Sequence, residues 1–187
     1  MTEPEALVAA AAIGGFAALV GALVAGGTAL RNETRRRSAV LKDVERQALR
    51  TQAAEVFRHI FALQHEMEWL TWHAVNRPKD LDSRMTASYE SAVHDVYPKL
   101  LGAMAVLASM NIYLYQELVP MVDRIYEMDG EIGRNITGLG GRRTRRGSLA
   151  KLKQLSEPVK ALYVTLPPEM AATMQHANAS TTGYGLT

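Results

Sequence analysis

Hydrophobic and polar positions divide the chain into an apolar start and a long remainder with helical spacing. Residues 6–30 carry no charged side chain. Beyond residue 30, apolar residues recur every three or four positions, and no stretch alternates in the manner of a β-strand. The pattern predicts an all-α protein. One N-terminal transmembrane helix would continue into a long helix of a cytoplasmic antiparallel three- or four-helix bundle with coiled-coil character.

The uncharged run, residues 6–30, has the length of a membrane span. Its 25 residues would form a helix of roughly 37 Å, and a hydrocarbon core is about 30 Å thick. A signal peptide would need a basic start and a shorter apolar run, whereas residues 1–5 read MTEPE. A soluble core helix would need polar residues on one side. We therefore expect a transmembrane helix that follows a short extracytoplasmic N-terminus, residues 1–5.

This span is built mainly of small residues, with ten Ala and five Gly. Small residues spaced by four let helix backbones approach closely in lipid. The spacing predicts that the span packs against a copy of itself or a partner's span. An alanine-rich composition would also produce such spacings by chance. The residues assigned to this packing are Gly14, Ala18, Gly21 and Ala25.

Charge sets the expected orientation of the span. All 21 Lys and Arg follow residue 30, and Arg31, Arg35, Arg36, Arg37 and Lys42 crowd its C-terminal side. The positive-inside rule then places the N-terminus outside and residues 31–176 in the cytoplasm. A glycine- and alanine-rich span before a helical cytoplasmic part is typical of small bacterial proteins, so the expected location is the inner membrane of a bacterial cell. The same cations would suit anionic lipid head groups.

Two helices of the bundle carry coiled-coil seams. The first helix is expected to run from the membrane to Asn76-Arg77-Pro78, and its 44 residues from Asn32 to Val75 would span roughly 66 Å. Apolar residues on it and on the third helix alternate spacings of three and four, as in an a/d seam. We expect these seams to form an oligomer or partner contact. Their residues are Val56, Ile60, Leu63, Met67, Leu70, Leu118, Met121 and Ile125.

An aromatic group lies on the side of the first helix opposite the seam. Phe61, Trp69 and Trp72 cluster there at about 100° per residue. Tryptophans dominate interface energetics, which favours a partner patch, but core packing is an equally good interpretation. Further along, Asp82-Ser83 is expected to cap the second helix, Pro158 to interrupt the fourth and Pro167-Pro168 to break it, before a flexible tail, residues 177–187.

A basic, glycine-rich loop is expected at residues 138–148. Its cations, Arg142, Arg143, Arg145 and Arg146, could bind an acidic lipid, nucleic acid or protein surface. The alternative is a solvated loop kept flexible by glycine. The chain after residue 30 holds 21 cations and 17 carboxylates, a net charge of +4, which makes nucleic acid an unlikely partner.

No motif indicates catalysis or a resident cofactor. The chain has no cysteine, no nucleophile elbow and no phosphate-binding glycine loop. Glu55–His59 and Glu90–His94 are spaced by four, whereas di-iron bundles use Glu-x-x-His, so no metal site is predicted.

Three functional hypotheses follow from the sequence. The favoured one is a non-enzymatic, homo-oligomeric scaffold or accessory subunit that tethers a partner complex to the inner face of the membrane. The first alternative is a metal- or haem-binding bundle enzyme that uses His59, His65, His73 and His94. The second alternative is a membrane-perturbing effector or regulator.

Overall fold

The computed structural model is all-helical over the part of the chain it describes. It describes the backbone of residues 3–141 and 143–183 and the side chains of residues 33–141 and 143–175. The helices are α1 (Glu3–Asn76), α2 (Ser83–Met110), α3 (Ile112–Leu139) and α4 (Arg145–Gly183). Contacts divide the chain into two units, Met1–Gln47 and Ala48–Thr187.

In the first unit, described side chains begin at Glu33 and lie on α1. Ion pairs one turn apart support this part of the helix, with Arg37 Nε 2.9 Å from Glu33 Oε1. Three apolar side chains stay 60–62% exposed here: Val40, Leu41 and Val44. The predicted span, residues 6–30, lies outside the residues whose side chains are described. Among the described residues, no helix has the length and apolar character needed to cross a membrane.

Polar side chains fix the helix boundaries of the second unit. The first boundary falls where the sequence predicted it, since α1 ends at Asn76. Asp82 Oδ1 then accepts a hydrogen bond from the Met85 N–H at 2.8 Å and caps α2. Asn111 separates α2 from α3. Its backbone N–H donates to the Leu107 carbonyl at 2.8 Å, and its Oδ1 accepts from the Leu114 N–H at 2.9 Å.

The four helices of this unit run alternately up and down. Gln52 Nε2, near the start of the unit, donates to the Ala103 carbonyl near the end of α2 at 2.9 Å. On α3 and α4, Arg124 makes a bidentate pair with Glu169. Burial and the neighbouring Glu68 carboxylate of α1 raise the pKa of Tyr163 on α4, so these two helices lie side by side at this point. These contacts agree with the short connections and confirm the predicted helical bundle.

The predicted seams form the core of this single chain. All eight seam residues are at most 6% exposed, and they pack with further apolar residues of α2 and α4 into one cluster. This location corrects the expectation that the seams face an oligomer or a partner. Apolar residues spaced by three and four positions indicate that a helix face is buried. In a bundle of four helices, the neighbouring helices of the same chain can bury that face. The corrected residues are Val56, Ile60, Leu63, Met67, Leu70, Leu118, Met121 and Ile125.

Proline does not interrupt the helices where the sequence predicted it would. The expected break at Pro167-Pro168 and the interruption at Pro158 are both wrong, since α4 is continuous through them. A proline leaves the carbonyl four residues earlier without its helical donor. For every internal proline that earlier residue is exposed, so water can satisfy the carbonyl while buried neighbours hold the helix in place. The internal prolines are Pro98, Pro120, Pro158, Pro167 and Pro168.

The connection between α3 and α4 is shorter than the predicted loop. The helix α3 extends to Leu139 and α4 begins at Arg145, so the loop of residues 138–148 shrinks to residues 140–144. Gly138 makes this tight turn possible, because a Cβ atom there would lie 2.0 Å from Ser148 Oγ and 3.1 Å from its Cβ. The helix α4 extends to Gly183, and the last four positions of the tail predicted at residues 177–187 lie outside the described residues.

Candidate functional site

The predicted aromatic patch is split between core and surface. Phe61 and Trp69 are half-buried against the core, whereas Trp72 is 39% exposed. The His73 ring lies between the two tryptophans, with centroid distances of 4.5 Å to Trp69 and 4.9 Å to Trp72. The Arg77 guanidinium carbon lies 5.7 Å from the Trp72 ring centroid, a cation–π distance. Of the three residues predicted to form this patch, only Trp72 offers a substantial aromatic surface to another molecule.

The arginines of the predicted anion loop have different environments. Arg145 is already engaged, because its Nη2 donates to the Leu81 carbonyl at 2.9 Å and its Nη1 to the Leu139 carbonyl at 3.3 Å. It ties the start of α4 to the end of α3 and to the α1–α2 connection. Arg143 and Arg146 are exposed and stay available for an anion. Arg142 lies outside the described residues.

The four described histidines, at positions 59, 65, 73 and 94, are not gathered into one metal site. His59 is buried, and its Nε2 lies 3.9 Å from Glu55 Oε2. Burial, with the nearby Arg58 guanidinium, lowers the pKa of the His59 imidazole below its usual 6.5, while Glu55 opposes the shift. His65 and His94 are exposed. Among the described residues, no group of three or more His, Asp and Glu side chains could hold a metal ion.

A tyrosine–carboxylate cluster joins α2 to α3. Asp129 accepts a hydrogen bond from the Tyr89 hydroxyl on one oxygen and from the Tyr97 hydroxyl, at 3.2 Å, on the other. Tyr89 is 2% exposed. Burial is the main cause that raises the pKa of both tyrosine hydroxyls, and the Asp129 carboxylate raises it further. Both therefore stay protonated as hydrogen-bond donors, and the cluster holds two helices together.

The corner between α2 and α3 exposes apolar side chains without charge. Residues 100–116 contain no charged residue. Five large apolar side chains here are 42–66% exposed: Leu101, Val106, Met110, Ile112 and Tyr113. The apolar run of residues 100–110 is too short for a second membrane span, and its sequence does not show which of its side chains stay exposed.

A polar cleft lies between the last turns of α3 and the first turns of α4. Its volume is about 300 Å³. Each helix contributes three residues spaced i, i+3, i+4, which places them on one face. The lining residues are Glu131, Arg134 and Asn135 from α3 and Lys151, Gln154 and Leu155 from α4. The neighbouring arginines form a visible run in the sequence, whereas the cleft residues converge only when α3 and α4 pack.

Comparisons with protein families, curated protein sequences and solved structures found no match to the chain.

Proposed function

We propose that this protein is a membrane-anchored, self-associating helical scaffold whose bundle tethers a partner complex at the inner face of the membrane. The observation that carries the proposal is the unbroken backbone of α1 from Glu3 to Asn76. One helix thus joins the 25-residue uncharged run to the bundle. The acidic start and the basic flank favour a cytoplasmic bundle.

Self-association needs a surface outside the bundle core, because the core already uses the predicted seams. Val40, Leu41 and Val44 fit this need. Val44 follows Val40 by four positions and Leu41 by three, so it shares one face of α1 with both, and each of the three is 60–62% exposed. Burying each would contribute about 1–2 kcal/mol, as an upper estimate from apolar area.

A second copy of the chain is the expected occupant of this face. The small residues of the span, among them Gly14 and Ala18 and also Gly21 and Ala25, favour close packing between spans. Spans packed side by side in parallel bring the same positions of α1 next to each other. A parallel pair would then bury Leu41 against Leu41 and Val44 against Val44, as in a coiled-coil layer.

Anchoring is tested by expressing the full chain and extracting membranes with alkaline carbonate. The protein is expected to stay in the membrane fraction, and a variant without residues 6–30 is expected to be released. Release of the full chain would refute the anchor.

Self-association is tested by native mass spectrometry of the full chain in mild detergent. The unmodified chain is expected to form an oligomer that Leu41→Lys with Val44→Lys dissociates. The matched control is Leu101→Lys with Val106→Lys, which adds the same charge at residues that are 61% and 48% exposed on α2. A monomeric unmodified chain would contradict the scaffold. Dissociation by the control pair alone would move the contact to the α2–α3 corner.

A further inference from the structure

Positive charge is concentrated in one segment of the bundle. Residues 132–156 hold seven Lys and Arg and no Asp or Glu. Since the whole chain carries +2, the remaining residues carry −5. A field of one sign raises the local concentration of oppositely charged ligands. This segment contains the α3–α4 connection and the first turns of α4, which lie beside the cleft.

The cations in this segment lack carboxylate partners within the described part of the chain. Ion pairs hold Arg58, Lys99, Arg124 and Lys160 elsewhere in the bundle. Within residues 132–156, no described Lys or Arg lies within ion-pair distance of an acidic group. Arg145 uses two carbonyl groups instead. The remaining cations are available to a ligand: Arg134, Arg143, Arg146, Lys151 and Lys153.

Two of these cations line the cleft, one from each helix. Arg134 comes from α3 and Lys151 from α4, with the amides of Asn135 and Gln154 beside them. The guanidinium of Arg134 extends back beside Gly130, since its Nη1 lies 3.7 Å from where a Cβ atom would stand at that glycine. A fork of guanidinium donors, an ammonium and two amides is the donor set that suits a multiply charged oxyanion.

The other lining residues favour a ligand that has an organic part as well as an anionic group. Leu155 is half-buried against the core and offers an apolar wall. Glu131 offers a carboxylate that can accept hydrogen bonds. A volume of about 300 Å³ is at the small end of ligand pockets. We infer that the α3–α4 cleft is a binding site for a small organic phosphate, with Arg134 and Lys151 on the phosphate and Leu155 and Glu131 beside its organic part.

The test is calorimetric titration of the full chain, in an uncharged detergent, with sodium pyrophosphate and separately with ATP. Saturable binding of one ligand per chain is expected. Arg134→Gln and Lys151→Gln should each weaken binding by about 10-fold or more, because each removes a charge-assisted contact. Glu131→Gln should tighten pyrophosphate binding, because it removes a negative charge from the cleft.

Lys153→Gln is the matched control. It removes the same charge two residues along α4, from an exposed side chain that does not line the cleft. It should change the affinity by less than about 3-fold. Equal losses of affinity in the Lys151 and Lys153 variants would overturn the proposed site and indicate a diffuse positive field instead. The proposed site would also be overturned if neither pyrophosphate nor ATP showed saturable binding.

A single-stranded oligonucleotide provides the last arm of the test. If it binds far more tightly than ATP, and Lys151→Gln and Lys153→Gln weaken it alike, the segment is a polyanion surface and the cleft proposal is wrong. None of these outcomes depends on membrane anchoring or on self-association. Failure of the cleft and failure of the scaffold are therefore distinguishable.

Discussion

Gln64 lies fully buried in α1, and its amide makes no hydrogen bond to the described residues. Both Nε2 and Oε1 lack a partner, and the residue is 0% exposed. Its neighbours along the helix, Leu63 and Met67, are core residues at 0% exposure. We predict that Gln64→Met stabilises the bundle.

The expected gain comes from removing buried polar atoms while keeping the side-chain volume. An unsatisfied buried polar group costs about 1–3 kcal/mol. Methionine has nearly the same length and helix propensity as glutamine, so the substitution should neither open a cavity nor weaken the helix. The free energy of unfolding should rise by about 1–3 kcal/mol. In a protein of this size each kcal/mol raises Tm by roughly 2–4 °C.

Unfolding is measured on the full chain in mild detergent by urea titration, followed by tryptophan fluorescence. Trp69 and Trp72 are the only tryptophans and both lie in the bundle, so the signal reports bundle unfolding. Gln116→Met is the control, because Gln116 is exposed and a surface change should stay within about 0.5 kcal/mol. A loss of stability in Gln64→Met would refute the reasoning, since it would mean that the buried amide is satisfied in solution.

Three further predictions concern the connections and the buried histidine. Asn111→Ala removes the side-chain cap of α3 and should lower the unfolding free energy by about 1 kcal/mol, measured by the same titration. Gly138→Ala should destabilise the bundle, because the added Cβ would meet Ser148. Gly102→Ala has nothing within 4 Å of the added Cβ and should stabilise the bundle by about 0.5–1 kcal/mol. Equal effects of the two substitutions would contradict the close approach of Gly138 to Ser148. The pKa of His59 is lowered in the folded state, so the free energy of unfolding should fall as the pH drops below about 6.5. In urea titrations from pH 8 to pH 5, His59→Gln should make the free energy of unfolding less dependent on pH.

The sign of the pH effect follows from proton linkage. A lowered pKa means that the unfolded chain binds the proton more readily than the native bundle does. Acidification through the ordinary histidine pKa therefore favours unfolding. A stability that rises on acidification, or an unchanged profile in the variant, would show that His59 does not control it. His94→Gln is the control, because His94 is exposed.

Local rules predicted the helices and several of their boundaries. The end of α1 at Asn76 precedes a proline, and Asp82 caps α2. Both features depend on backbone chemistry within a few residues, which the sequence displays directly. The periodic seams likewise identified the residues that became the core.

Local rules failed where the outcome depended on what lies opposite a residue. Pro167 and Pro168 look like helix breakers, yet packing of Leu166 and Met170 into the core holds α4 together around them. Arg145 looks like the other arginines of its run, yet only the tertiary structure brings the Leu81 carbonyl to it.

The sequence by itself determined an all-helical chain, its apolar start, its basic α3–α4 connection and the face of each helix that must be buried. Those properties follow from side-chain chemistry and helical periodicity. Only the tertiary structure decided which molecule buries the seams. It assigned them to the chain's own bundle, left Val40, Leu41 and Val44 exposed, and brought Arg134 and Lys151 to one cleft. Periodicity states that a face needs a partner, but the identity of that partner depends on how distant segments pack.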